Sequence, residues 1–353
     1  MKKVLVIDDS ALMRKLLTGV LVAGGYDVRS ARNGAEGVET VVQWQPDVVT
    51  LDINMPEMDG LTALSLIMAA RPTPVVMVSS LTEKGALATF EALALGAVDF
   101  IPKPGGTISL HVADIKAILL EKVRSASRAQ LTSRRVAAPP PVTTPVSRPV
   151  PPGDVTAVRV GRSLAGLVLI GVSTGGPRTL EDILPRLPAN FPWPILVAQH
   201  MPANFTDTFA RRMDTLCALK VVEVASPMAL APGHVYIGRG GTDITVTDRS
   251  GVLYTAPRPE ARAVLWHPSV EVMVDSAMKH LPAKRLVGVM LTGMGNDGAQ
   301  SMAQLHSAGG RTIAESAETA VVFGMPNELI ERRGATLVLP CTHIAAQLRH
   351  WLT

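Results

Sequence analysis

Residues 137–153 read AAPPPVTTPVSRPVPPG. Proline fixes φ and has no N–H to donate, so a run this rich in it suits neither a helix interior nor a central strand. Such a segment favours extended polyproline II and acts as a semi-rigid spacer. In a chain of 353 residues it separates two stretches, each of a size that one hydrophobic core can organise. The predicted organisation is a first domain over residues 1–122, a linker rich in Pro and Arg over 123–160, and a second domain over 161–353.

Both sides of the spacer share one grammar. Before it, apolar runs at 4–7, 48–51 and 75–78 alternate with helical patterns at 11–22, 35–43 and 61–70; after it, apolar runs lie at 167–171, 195–198 and 286–291. Strand runs separated by helices form parallel sheets covered on both faces. The fold class is therefore α/β, two doubly wound parallel-sheet domains, whose ligands bind at the carboxyl ends of strands.

Composition narrows the partners. The formal charge is +4, but Arg124, Arg128, Arg134, Arg135 and Arg148 gather near the spacer and no basic recognition helix accompanies them. They read as a solvated linker, and no nucleic acid is expected. Cys217 and Cys341 lack metal-ligand spacing and are too few for a disulfide framework, which suits reduced thiols in a cytoplasmic protein. No apolar stretch reaches the ~20 residues that span a bilayer. The first apolar run meets Asp8 and Asp9 before a signal segment forms. A soluble chain with no direct membrane insertion is expected.

Asp8 and Asp9 close the first strand run, Asp52 closes a later one, and Lys103 follows the run at 98–101. Strand ends of a parallel sheet share a rim, so three carboxylates and an ammonium can converge. Clustered carboxylates call for a hard cation, and Mg²⁺ suits few carboxylates plus water and a phosphate oxygen. Together with DINMPEMDG at 52–60, Ser79 and FIPKP at 100–104, these residues resemble a response-regulator receiver domain over roughly residues 1–122, a flavodoxin-like fold. The resemblance implies that Asp52 accepts a phosphoryl group, that Asp8, Asp9, Asp52 and the Asn54 carbonyl hold Mg²⁺, and that Ser79 and Lys103 contact the phosphoryl. Phe100 would be the switch aromatic.

In the second half, the run GVSTGGP at 171–177 turns from a strand into a helical pattern. It matches the G-x-S-x-G elbow that presents a nucleophile, here Ser173, yet such a turn cradles phosphate equally well. Other strand ends deliver His200 and Asp297, so serine, histidine and aspartate can meet at one rim. Of the eight histidines, His111, His280, His306, His343 and His350 sit in helical or terminal surroundings. His234 and His267 sit in loop-like ones, and His234 is the main rival to His200.

GVSTGGP at 171–177, QHM at 199–201, PSV at 268–270, LTGMGNDG at 291–298 and VVFGMP at 321–326 resemble the catalytic domain of the CheB protein-glutamate methylesterase family, a Rossmann-like serine hydrolase. The resemblance implies Ser173 as nucleophile, His200 as base, Asp297 as its orienting partner, the Met294 N–H in the oxyanion hole, and Thr174 as a support for His200. It implies no cofactor at the hydrolytic site, a chemoreceptor glutamate methyl ester or glutamine as substrate, and a CheA-type histidine kinase as phosphoryl donor. The receiver would restrain the hydrolase until Asp52 is phosphorylated. Two departures stand out: Gly238-Arg239 where the family commonly has Ala-Pro, and Ala314-Glu315 where it has Ala-Gln.

Overall fold

The computed structural model describes residues 1–80, 82–103, 112–131, 164–260 and 266–352. The proline-rich segment lies outside them.

The first domain alternates β1 (Lys3–Ile7), α1 (Ala11–Ala23), β2 (Asp27–Ala31), α2 (Gly34–Trp44), β3 (Val48–Asp52), α3 (Gly60–Ala70), β4 (Val75–Ser79), α4 (Glu83–Ala94), β5 (Asp99–Pro102) and α5 (Val112–Ala126). Its five strands form a parallel sheet in the order β2-β1-β3-β4-β5. Every residue of β3 and β4 is buried, as unalternated apolar runs require. Side-chain caps start the helices: Ser10, Asn33 and Asp59 accept from the N–H groups of Met13, Glu36 and Thr62, satisfying donors that the helix leaves unpaired. Helix α5 continues to Ala126, one turn beyond residue 122.

The second domain contains β6 (Leu167–Val172), α6 (Gly176–Ile183), β7 (Ile195–Gln199), α7 (Ala203–Leu216), β8 (Lys220–Val224), β9 (Met228–Ala229), β10 (His234–Gly238), β11 (Asp243–Arg249), β12 (Val252–Arg258), α8 (Val270–Met278), β13 (Leu286–Met290), α9 (Ala299–Ser307), β14 (Arg311–Glu315), α10 (Met325–Glu331), β15 (Leu337–Leu339) and α11 (Cys341–Leu352). Seven strands make a parallel sheet ordered β15-β14-β13-β6-β7-β10-β8. The chain leaves β6 toward β7 and later returns to β13 on its other side, so the crevice between the ends of β6 and β13 is the topological switch point. The sequence reading did not foresee the small antiparallel sheet β11-β12-β9.

One apolar cluster runs through both domains. Phe90 of α4 stacks on Phe209 of α7 with ring centroids 5.4 Å apart, and Phe100 of β5 meets Phe205 at 4.4 Å. Such pairs contribute about 0.5–1.5 kcal/mol each beyond their buried area. The backbone joins in, since the Gln130 N–H donates to the Val321 carbonyl.

Glu121 of α5 is half-buried, and burial pushes its carboxyl up to about 7, with Asp99 adding to the rise against Lys122 and Arg124. A raised folded-state pKa means that the unfolded chain ionises first as pH rises. The resulting cost to the fold is absent below the usual glutamate range, grows through it, and is complete above about pH 7. Glu121→Gln should therefore melt at a higher temperature than the parent at pH 8 and match it near pH 4. Thermal scans at both pH values check this, and equal midpoints at pH 8 would contradict it.

Candidate active site and its receiver

The β1 and β3 register aligns Ile7 with Leu51, so Asp8 and Asp52 leave the sheet side by side. Carboxylate oxygens of Asp8, Asp9 and Asp52 all lie within 4.8 Å of one another. Lys103 Nζ donates to Asp52 Oδ2 at 2.6 Å and lies 3.4 Å from Asp8 Oδ2. Burial raises the Asp8 and Asp52 carboxyls above the usual range despite Lys103. Asp8 Oδ2 is buried without a hydrogen-bond partner among the described residues. An acidic pocket of three carboxylates, one oxygen of which has only a 3.4 Å ion pair to Lys103, fits a divalent cation. Gly60, at the start of α3, is required here, because a Cβ would lie 2.1 Å from the Asp52 carbonyl oxygen.

Asn54 follows Asp52 closely, its N–H donating to Asp52 Oδ1 at 3.3 Å. Ser79 ends β4 on the same rim, but its hydroxyl donates to the Gly85 carbonyl of α4, not toward Asp52. Phe100 is buried against Phe205. Lys103 follows β5 directly, so the strand that holds the ammonium at one end carries Asp99 and Phe100 into the second domain.

In that domain, β6 runs into Ser173 and then Gly175, whose φ of 81° lies in the left-handed region that glycine adopts without strain. The Ser173 N–H donates to the Thr292 carbonyl, and Gln199 Nε2 donates to the Ser173 carbonyl. These bonds pin the Ser173 turn between the ends of β7 and β13. Gly293 passes over it so closely that a Cβ there would sit 2.7 Å from that of Ser173. This brings Met294 beside the serine, and no described residue accepts from the Met294 N–H.

His200 follows β7, and its Nε2 lies 2.8 Å from Asp297 Oδ2. Asp297 also accepts from the Ser269 hydroxyl and from the Val270 and Glu271 N–H groups at the start of α8. Burial pushes its carboxyl up, but the His200 and backbone hydrogen bonds outweigh that and hold it below the usual range. A carboxylate fixed in this way stays ionised and orients the imidazole. His200 Nδ1 is buried with no partner among the described residues, leaving that nitrogen as the one available for proton transfer.

His234 is corrected from a loop-like position to the first residue of β10. Because β10 is parallel to β7, His234 lies on the rim opposite Ser173, which removes it as the rival base. His267 is engaged by Asp243 at 2.8 Å. Thr174 departs from its predicted contact with His200: its hydroxyl donates to Asp99 Oδ2 of the first domain, which also accepts from Lys122. The sequence reading missed Trp266, whose ring stacks over His200 at 5.5 Å. Nothing in local pattern marks it, since the segment returns to the site only through tertiary folding.

Residues 168–348 match the CheB methylesterase family, and residues 4–113 match the response regulator receiver domain. The chain belongs to the CheB methylesterase family. A protein of Rhodospirillum rubrum named protein-glutamate methylesterase/protein-glutamine glutaminase 3 is 52% identical over 360 residues, spanning 100% of this chain and 97% of that one. A protein of Rhodopseudomonas palustris named protein-glutamate methylesterase/protein-glutamine glutaminase 2 is 51% identical, spanning 99% and 98%. The CheB methylesterase catalytic domain of Thermotoga maritima superposes with a TM-score of 0.51 at 39% identity, covering 53% of this chain and 98% of that one.

Proposed function

We propose that this chain is a phosphorylation-activated protein-glutamate methylesterase that also deamidates glutamine side chains. The observation that best supports the reading is the 2.8 Å bond between His200 Nε2 and Asp297 Oδ2, at the strand-end rim where the Ser173 N–H donates to the Thr292 carbonyl beside the Met294 loop. Ser173 Oγ attacks the ester carbonyl and His200 takes its proton at Nδ1. Asp297 stabilises the imidazolium, and the Met294 N–H meets the developing oxyanion. His200 then gives the proton to the departing ester oxygen or amide nitrogen as its bond to the carbonyl carbon breaks, releasing methanol or ammonia, and water hydrolyses the acyl-enzyme to a glutamate carboxylate.

The substrate is the cytoplasmic helical bundle of a methyl-accepting chemoreceptor, which makes the setting cytoplasmic and the membrane contact indirect. A CheA-type histidine kinase supplies the phosphoryl group to Asp52. Mg²⁺ held by Asp8, Asp9, Asp52 and the Asn54 carbonyl would neutralise the incoming phosphoryl oxygens, with Lys103 and Ser79 as further contacts. No metal is needed in the hydrolase. In the resting arrangement Ser173 and His200 are almost fully buried, and Asp99 and Phe100 lie against Thr174 and Phe205. These contacts support restraint by the receiver, released when Lys103 turns to the phosphoryl and shifts β5.

A fluorophosphonate probe tests the chemistry directly. Mass spectrometry should place the label on Ser173, and His200→Ala should nearly abolish labelling. Labelling elsewhere would contradict the reading and favour a second domain that only binds a partner or nucleotide.

The restraint has its own test. Asp99→Ala removes the charged acceptor of the Thr174 hydroxyl, a bond of a type worth about 1.5–3 kcal/mol. Hydrolysis of a small activated ester without phosphoryl donor should rise about tenfold or more. An unchanged basal rate would show that this contact does not restrain the site.

A further inference from the structure

Glu315 ends β14 with its side chain completely buried. Strands β13 and β14 pair only as far as Met290 and Ala314. Beyond that point the Glu315 side chain takes over from the ladder: Oε2 accepts from the Thr292 N–H at 2.8 Å, and Oε1 accepts from the Thr319 hydroxyl at 2.9 Å. Thr319 Oγ1 in turn accepts from the Cys341 N–H, fixing that arm to the start of α11.

Thr292 is the residue through which the nucleophile turn and the Met294 loop are joined. Its carbonyl accepts from the Ser173 N–H at 2.9 Å. Its hydroxyl donates to the Thr174 carbonyl and accepts from the Val322 N–H, each at 2.9 Å. The next residue, Gly293, accepts from the Gly324 and Met325 N–H groups. Every polar atom of Thr292 is thus committed, and Glu315 holds its N–H.

Resting on the hydrolase reading above, we infer that Glu315 is a positioning residue for the oxyanion hole. It touches no reacting atom. By fixing the Thr292 N–H it sets the spacing between Ser173 Oγ and the Met294 N–H, the distance that decides how well the tetrahedral intermediate is held. A Gln side chain here would likewise present an oxygen to the Thr292 N–H, so it could serve in the same way.

The test uses the full chain, a small activated ester, and an alkylboronic acid that forms a tetrahedral adduct with the serine. Misplacing an oxyanion donor by about 1 Å costs on the order of 100-fold. Glu315→Ala should therefore lower kcat by about 10- to 100-fold with KM within about twofold. Boronate affinity should fall by a similar factor, and Glu315→Gln should recover most of both losses. A folded Glu315→Ala chain with a lower melting temperature but parental kcat and boronate affinity would overturn the inference. If Glu315→Ala does not fold, Thr319→Val removes the hydroxyl that donates to Oε1, together with the acceptor of the Cys341 N–H. It should lower kcat and boronate affinity several-fold together, and parental values there overturn the inference equally. Retained turnover in Ser173→Ala would instead overturn the hydrolase reading itself, so the two failures are distinguishable.

Discussion

Ser173→Ala and His200→Ala should each lower kcat by roughly a million-fold, as loss of the nucleophile or base does in other serine hydrolases. The double variant should be no worse than either single one. The three groups act as a unit: without the base the serine stays protonated, and without the serine the base has nothing to activate. Asp297→Asn should cost somewhat less, about ten-thousand-fold, because the amide keeps the shape while reversing the hydrogen bond to His200 Nε2. The Ser269 hydroxyl and the α8 N–H groups that now favour a carboxylate would then face a poorer acceptor. Single-turnover rates measured with saturating ester check this, and parental turnover in His200→Ala would remove the histidine from the mechanism.

The second large effect is activation. A receiver that prefers the docked arrangement by a few kcal/mol leaves about 0.1–10% of molecules open, so full release gains about 10- to 1000-fold and no more. Mg²⁺ with a small phosphoryl donor should bring the intact chain up by that factor, while Asp52→Ala stays at the resting rate. The path is short: Lys103, bonded to Asp52 at 2.6 Å, follows the strand whose Asp99 and Phe100 touch the hydrolase. A parental response from Asp52→Ala would place the phosphoryl elsewhere.

Much of this was legible in the sequence because parallel strands are buried on both faces. Continuous apolar runs therefore marked β1, β3, β4, β6, β7 and β13, and the residues that follow them marked both rims. The rim rule placed Asp8, Asp52, Ser173, His200 and Asp297 at or just after strand ends, where the fold has them, while the roles came from the resemblance. It failed where position depends on packing between elements. The hairpin of β11 and β12 has mixed polar residues and was hidden, although Ser250 and Gly251, both at positive φ, form its turn. The hydroxyl directions of Thr174 and Ser79 depend on a docked neighbour, Asp99 in one case and Gly85 in the other. Trp266 and Glu315 reach the site from distant segments. His234 was ambiguous because composition does not say which end of a strand a residue occupies, and the parallel pairing of β10 with β7 decided it.

On the proposed function, phosphorylation of Asp52 releases a Ser173-dependent hydrolysis of glutamate methyl esters. The most direct measurement is methanol release from a chemoreceptor carrying radiolabelled methyl esters, with the intact chain, Mg²⁺ and a phosphoryl donor. Labelled methanol should appear with the parent, at the low resting rate with Asp52→Ala, and not at all with Ser173→Ala. Release that persists in Ser173→Ala, or that is equal with and without the donor, would contradict the account.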